Sequence, residues 1–196
     1  AAGPDFADRQ DYAFADRGFV ATRSDPKILG AGGQVVWDLT AYDFLKGPAP
    51  ASVNPSLWRQ SQLLARNGLF EVAKGVWQVR GFDVSNATFI AGKTGWIVID
   101  PLTSVETAKA ALDLANEKLG ARPVVALIYT HSHADHFGGA RGMVSQADVD
   151  AIVAAGKRAG SAVDEDMAAR MDGIIRRVDG ERSLVERHIC AALDAL

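Results

Sequence analysis

The chain has 196 residues, of which 48% are hydrophobic and 23% are charged, and its formal net charge is -3 at pH 7. This length and composition predict a folded domain rather than a disordered segment. The small negative charge argues against a protein that binds nucleic acid through a basic surface. No apolar run approaches the roughly 20 residues that cross a bilayer, so no transmembrane segment is expected.

The first part of the chain is rich in Gly, Asp and Arg, and it contains the motif FADR twice, at Phe6–Arg9 and Phe14–Arg17. We predict an extended amino-terminal arm over residues 1–50, with a short strand at Gln34–Asp38. The chain starts with Ala1 and Ala2, and such small residues either follow a signal-peptide cleavage site or mark an arbitrary boundary.

The middle of the chain alternates helix and strand signals. A helix is predicted from the cap Asn54 and Pro55 to Asn67–Gly68, and a second helix from a Thr103–Glu106 capping box to Gly120. Strands are predicted at Leu69–Ala73, Val76–Phe82, Asn86–Ala91 and Gly95–Asp100, and Pro123–Tyr129 reads as a buried strand that is apolar on both faces. This order predicts an α/β fold over residues 51–150.

The last part of the chain carries only helix signals. Helices are predicted at Gln146–Gly160, Asp164–Val178 and Glu181–Leu196. We therefore separate residues 151–196 as an all-helical carboxy-terminal tail of unknown role. Its aliphatic and methionine side chains are typical of a core or an interface.

Residues 130–139 read THSHADHFGG and hold three of the four histidines of the chain. His131 and His133 alternate just past a strand, so both rings can point to one side, and Asp135 and His136 follow on a tightening turn. Imidazole and carboxylate together suit zinc or another first-row divalent ion. The pattern therefore predicts a metal site rather than a chance cluster of histidines.

His131-x-His133-x-Asp135-His136 resembles the H-x-H-x-D-H signature of the metallo-β-lactamase superfamily. Longer stretches, among them NPSLWRQSQLLARNGLFEV and GWIVIDPLTS, resemble the amino-terminal part of the zinc-dependent alkylsulfatases (type III sulfatases) within that superfamily. The resemblance covers about residues 5–150. It implies the amino-terminal part of a metallo-β-lactamase-like αβ/βα sandwich, to which the helical tail is added.

The resemblance also implies a two-zinc hydrolase that converts alkyl sulfate esters into an alcohol and inorganic sulfate. By position, His131 and His133 would bind the first zinc, and Asp135 and His136 the second, with Asp135 as the candidate catalytic residue. Two such ions can hold and deprotonate a water while they neutralise the charge of the ester. Asp100 would support the metal-binding loop, although it could equally cap the end of its strand before Pro101.

Two alternatives stay open. The first is a hydrolase of the same superfamily that acts on a lactam, thioester or phosphodiester. The second is a non-catalytic, truncated metal- or partner-binding remnant, because the resemblance stops at about residue 150. Catalytic zinc usually has three protein ligands per ion, and residues 131–136 supply fewer. The remaining histidine, His188, has a spacing that matches no superfamily ligand. The resemblance further suggests a homodimer and, with the Ala1–Ala2 start, a periplasmic or secreted protein.

Overall fold

The computed structural model describes residues 5–158, which form a mixed α/β fold. Among these residues, none of the helices has the length and apolar character needed to cross a bilayer. The predicted helices at 164–178 and 181–196 lie outside the described residues. The elements follow in the order α1 (Gln10–Asp16), β1 (Phe19–Ala21), β2 (Lys27–Leu29), β3 (Val35–Asp38), α2 (Pro55–Leu64), β4 (Gly68–Ala73), β5 (Val76–Arg80), β6 (Ala87–Ala91), β7 (Trp96–Ile99), α3 (Val105–Leu119), β8 (Val124–Ile128), α4 (Ala140–Met143) and α5 (Gln146–Arg158).

The main sheet has six strands in the order β1-β4-β5-β6-β7-β8. All neighbours are antiparallel except β7 and β8, which are parallel and are joined by helix α3. Ile99 at the end of β7 lies opposite Ile128 at the end of β8. Because the carboxyl ends of parallel strands meet at one edge of a sheet, the residues that follow the two strands are brought together there.

Helix α3 covers the sheet with small side chains that pack closely. Ala108, Ala111 and Ala115 are fully buried, and they belong to the same core cluster as Trp96 and Phe89 of the sheet. The indole N–H of Trp96 also donates to the side-chain oxygen of Asn116 on α3, at 2.8 Å. This packing holds α3 against the sheet, with its last turn bonded to the start of β7.

The amino-terminal region differs from the extended arm that the sequence predicts. Within residues 1–50 the described part forms α1, a strand of the main sheet and a separate two-stranded sheet of β2 and β3. Tyr12, Ile28 and Leu39 are buried, and the rings of Phe19 and Phe70 pack edge to face at 5.4 Å. Pairing of the short strand β1 with β4 is a long-range contact, which local composition does not reveal.

The observed helix boundaries agree with some of the predicted capping signals and differ from others. Asn54 accepts hydrogen bonds from the backbone of Ser56 and Leu57 and is the predicted cap of α2. However, α2 ends at Leu64, and Gly68 begins β4 instead of closing the helix. The capping box of α3 is formed by Ser104 and Thr107, one residue later than predicted.

Strand β8 is less buried than its sequence predicts. Among the described residues it lies at the edge of the sheet, with Val124 buried but Ile128 exposed. A continuous apolar run is typical of a strand that is covered on both faces and paired on both sides, whereas only β7 pairs with β8 within residues 5–158. The prediction of a buried strand is therefore corrected, while its position after α3 and before the histidines is confirmed.

Candidate metal centre

The candidate site is the histidine loop, by which we mean residues 130–139, directly after β8. The loop lies against the segment that connects β7 to α3. The backbone N–H of Gly139 donates to the carbonyl of Leu102 at 2.8 Å. A Cβ atom at Gly138 would overlap the carbonyl oxygen of Thr103, and one at Gly139 would overlap that of Pro101. Only glycine permits this close approach of the two backbones.

The structure brings all five predicted site residues into one chain of contacts. The ring centroids of His131 and His133 are 4.6 Å apart, and those of His131 and His136 are 3.9 Å apart. Nε2 of His136 lies 3.2 Å from Oδ2 of Asp135, and its Nδ1 lies 2.8 Å from Oδ2 of Asp100. Asp100 and His136, which are 36 positions apart in sequence, therefore meet at the carboxyl ends of β7 and β8.

Asp100 occupies a backbone conformation that few residues other than glycine adopt. Its φ angle is 58°, and that of Leu102 is 67°. Such angles cost free energy and persist only where surrounding contacts hold them. The Asp100 side chain is buried apart from 11% of its surface, and its Oδ1 accepts the backbone N–H of Thr130 at 2.8 Å. The carboxylate thus bonds to the histidine loop, which favours the supporting role over a strand-end cap.

Thr130 links Asp100 to the first histidine. Its hydroxyl donates to Oδ2 of Asp100 at 2.7 Å, so it can accept a hydrogen bond from Nδ1 of His131, which is 3.0 Å away. Neutral imidazole carries one proton, and a proton on Nδ1 leaves Nε2 with a free lone pair. Asp100 acts in the same way on His136, because it accepts from Nδ1 and leaves Nε2 for another partner. The histidine motif itself gives no indication of this role for Thr130.

Ser85 of the β5–β6 connection holds the loop, and Asp83 of the same connection holds the segment before α3; neither was predicted from the sequence. Ser85 donates a hydrogen bond from Oγ to the backbone carbonyl of Asp135. Asp83 accepts from the backbone N–H and the hydroxyl of Thr103, at 2.9 and 2.6 Å. Both Ser85 and Asp83 are only 8% exposed. A polar pair in a short loop between strands was the sole sequence signal, and it is not specific.

The donor set fits a first-row divalent ion in its chemistry. Three imidazoles and a carboxylate are the ligand types that zinc takes in proteins. The arrangement is not a formed metal site, since no group of three or more His, Cys, Asp or Glu among residues 5–158 is placed so that it could hold an ion. The geometry gives one reason. Nε2 of His131 is hydrogen-bonded to Nδ1 of His133 at 2.9 Å, and this bond occupies the lone pair that an ion would need.

Two cavities in the described part of the chain can be compared with the positions of these residues. One, of about 530 Å³, is lined by Tyr12, Trp58 and Arg59 among others. The other, of about 420 Å³, lies between Tyr129 and the residues around Val149. None of the five site residues lines either cavity. Burial raises the pKa of Tyr129 to about 12, so its phenol keeps its proton to a higher pH than that of an exposed tyrosine.

The fold and this loop place the chain in a known class. Residues 80–187 match the model of the metallo-beta-lactamase superfamily, which is more than half of the chain. The chain therefore belongs to the metallo-beta-lactamase superfamily, and the predicted membership and fold class are confirmed. Membership implies a metal-dependent protein. The matched range includes Ser85, Asp100 and the whole histidine loop.

Individual relatives are alkylsulfatases, and the chain matches only part of each. It is 51% identical over 148 residues to a linear primary-alkylsulfatase of a Pseudomonas species, and 52% identical over 147 residues to an (R)-specific secondary-alkylsulfatase of a Pseudomonas species. Each match covers 74% of this chain and 22% of the relative. The solved structure of the stereoselective inverting sec-alkylsulfatase Pisa1 from a Pseudomonas species superposes with a TM-score of 0.70 at 52% identity, over 74% of this chain and 23% of that one.

The chain thus spans about a fifth of the length of the curated relatives that it matches. The family match runs to residue 187, and so extends into the segment that the sequence pattern sets apart as a helical tail.

Proposed function

We propose that this chain is the zinc-binding part of a hydrolase that cleaves alkyl sulfate esters into an alcohol and inorganic sulfate. The observation that carries the proposal is the histidine loop, where imidazole and carboxylate donors meet at the carboxyl ends of β7 and β8. The identity of about half to several alkylsulfatases supports the sulfate ester as the substrate class. The substrate would then be a small molecule.

The residues of the loop would bind two different ions. His131 and His133 would hold one ion, and Asp135 and His136 would hold a second one beside it. When bound, divalent ions supply Lewis-acid chemistry, because they lower the pKa of water and offset the negative charge of an ester. Asp100 and Thr130 orient the rings, since they bind the Nδ1 atoms of His136 and His131.

Sulfate release from a medium-chain alkyl sulfate tests the proposal. The full chain is loaded with zinc and compared with the double variant His131→Ala/His133→Ala. We expect sulfate from the wild type and none above background from the variant. Parallel assays with a lactam, a thioester and a phosphodiester separate the proposed substrate from those of other superfamily hydrolases. Release of product from one of these compounds, and not from the alkyl sulfate, would show that the substrate belongs to that other class.

A second candidate is a zinc-binding module that has no turnover by itself. It is favoured by the finding that no three candidate ligands within residues 5–158 are placed to hold an ion, since catalytic zinc usually has three protein ligands. The same samples decide between the two candidates. Zinc bound by the histidine loop without release of sulfate, or of any other product in the panel, would support the module.

A further inference from the structure

The β5–β6 connection contacts the histidine loop through the side chain of Ser85. Its hydroxyl donates to the backbone carbonyl of Asp135, which is 50 residues away in the sequence. Asp135 stands between His133 and His136, in the 3-10 turn Ala134–His136. A bond to this carbonyl therefore restrains the backbone from which the carboxylate of Asp135 projects.

Ser85 belongs to a connection that is itself held in place. It is only 8% exposed, and it lies two residues after Asp83, which is equally buried. The carboxylate of Asp83 accepts hydrogen bonds from the backbone N–H of Val84 at 2.6 Å and from the hydroxyl of Thr107 at 2.8 Å, in addition to those from Thr103. These bonds tie the β5–β6 connection to the first turn of α3. The Ser85 hydroxyl, which donates to Asp135, therefore belongs to a segment that is held in place by several hydrogen bonds.

The histidine loop is anchored at both of its ends by other bonds. Gly139 bonds to Leu102 at the end of the loop, and Thr130 bonds to Asp100 at its start. Between these two anchors, the backbone bonds from His136 to His133 and from Phe137 and Gly138 to Ala134 stay within the loop. Asp100 contacts the ring of His136 in the middle of the loop, and Ser85 adds a restraint from outside on the backbone there, at Asp135.

We propose that Ser85 is a positioning residue of the candidate metal centre, which sets the place of Asp135 through its backbone carbonyl. The inference rests on the proposed function for its metal, and it adds a residue that the histidine motif does not contain. Ser85 touches neither ion nor substrate in this account. Ser85 acts by restricting the conformations of the metal-free loop. Less conformational entropy is then lost when Asp135 and His136 bind an ion.

The first test measures the loop in the metal-free protein, by hydrogen exchange of the backbone amides of Phe137 and Gly138. Loss of one hydrogen bond in Ser85→Ala should speed their exchange about three- to tenfold. Asn54→Ala is the matched control, because it removes the cap of α2, whose bonds lie within that helix. The control should lower the melting temperature without changing exchange in the loop. Ser85→Thr keeps a hydroxyl at this position, so exchange should stay as slow as in the wild type.

The second test measures zinc affinity by competition with a chelator. Partners that orient metal ligands typically change metal affinity by about 10–100-fold, so Ser85→Ala should bind zinc about tenfold more weakly than the wild type. If Ser85→Thr does not fold, because the buried site lacks room for its methyl group, the comparison of Ser85→Ala with Asn54→Ala decides the matter.

The outcomes separate this inference from the proposed function. Exchange in Ser85→Ala at the wild-type rate would overturn the inference, and so would a zinc affinity equal to that of the wild type. Either result leaves the proposed hydrolase intact. A wild-type chain that binds no zinc would overturn the proposed function and the metal role of Ser85 together, while the exchange rates would still report whether Ser85 holds the loop.

Discussion

Oδ2 of Asp100 lies 2.8 Å from Nδ1 of His136, so a carboxylate at the end of β7 orients a ring in the loop that follows β8. The same carboxylate binds both the backbone N–H and the hydroxyl of Thr130. Three donors from one loop thus converge on one buried side chain. The arrangement depends on the parallel pairing of β7 with β8, which brings the two strand ends to the same edge of the sheet.

Replacing Asp100 by Asn tests this relationship. Asparagine tolerates the left-handed backbone conformation of Asp100, but it offers one acceptor oxygen to three donors. We expect zinc affinity to fall by about 10–100-fold, measured by chelator competition. Asp113→Asn is the control, because Asp113 pairs with Lys109 on the exposed face of α3. Equal affinities of Asp100→Asn and Asp113→Asn would contradict the orienting role of Asp100.

Thr130 is expected to act through its hydroxyl. Thr130→Val keeps the shape of the side chain but removes the bonds to Asp100 and to Nδ1 of His131. The Nδ1 proton of His131 then loses its acceptor, so the ring can take the other tautomer. Nuclear magnetic resonance of the ring nitrogens should show a mixture of tautomers for His131 in Thr130→Val and one tautomer in Thr130→Ser. A single, unchanged tautomer in the valine variant would refute this role.

Gly139 is expected to tolerate no side chain. A Cβ at this position would lie 2.6 Å from the carbonyl oxygen of Ser104 and 2.7 Å from Cβ of Ala108. Gly139→Ala should therefore lower the free energy of unfolding by about 2 kcal/mol, as overpacking does. Gly32→Ala is the control, because its nearest neighbour is the end of the Gln34 side chain. Denaturant unfolding of both variants checks the difference, and equal stabilities would show that the two backbones are not in close contact.

Tyr129 should make the fold sensitive to alkaline pH. Burial raises its pKa from 10.0 to about 12, so between these values the unfolded chain has lost the phenol proton while the folded chain retains it. The stability that this difference contributes is fully present below the unfolded pKa and is lost as the pH rises through the folded one. Melting temperatures of the wild type and Tyr129→Phe, followed from about pH 9 to about pH 12, should show a smaller fall in the variant. Parallel curves would contradict the raised pKa of Tyr129.

The candidate ligands of the site could be predicted from the sequence better than the residues that position them. His131, His133, Asp135 and His136 are close in sequence and follow a strand, so one turn necessarily brings them together. The supporting role of Asp100 was an expectation from the family resemblance, and a strand-end cap was an equal alternative. The role of Ser85 could not be predicted, because its partner is a backbone carbonyl 50 residues away. Every residue has such a carbonyl, so the residue types do not show which one is bonded.

The start of α3 shows the same limit. Thr103 and Glu106 have the spacing of a capping box, but both the N–H and the hydroxyl of Thr103 bind Asp83. Ser104 consequently becomes the cap. A distant carboxylate thus shifts a boundary that local rules place one residue earlier. The strand β1 was missed for a related reason, since its pairing with β4 is a long-range contact.

Zinc binding to the metal-free chain tests the central claim most directly. Chelator competition should show that the wild type binds zinc, that His131→Ala binds it more than about tenfold more weakly, and that His188→Ala binds it as the wild type does. Such a result would assign the metal to the histidine loop. A wild-type chain that binds no zinc, or a His131→Ala variant with wild-type affinity, would contradict the account.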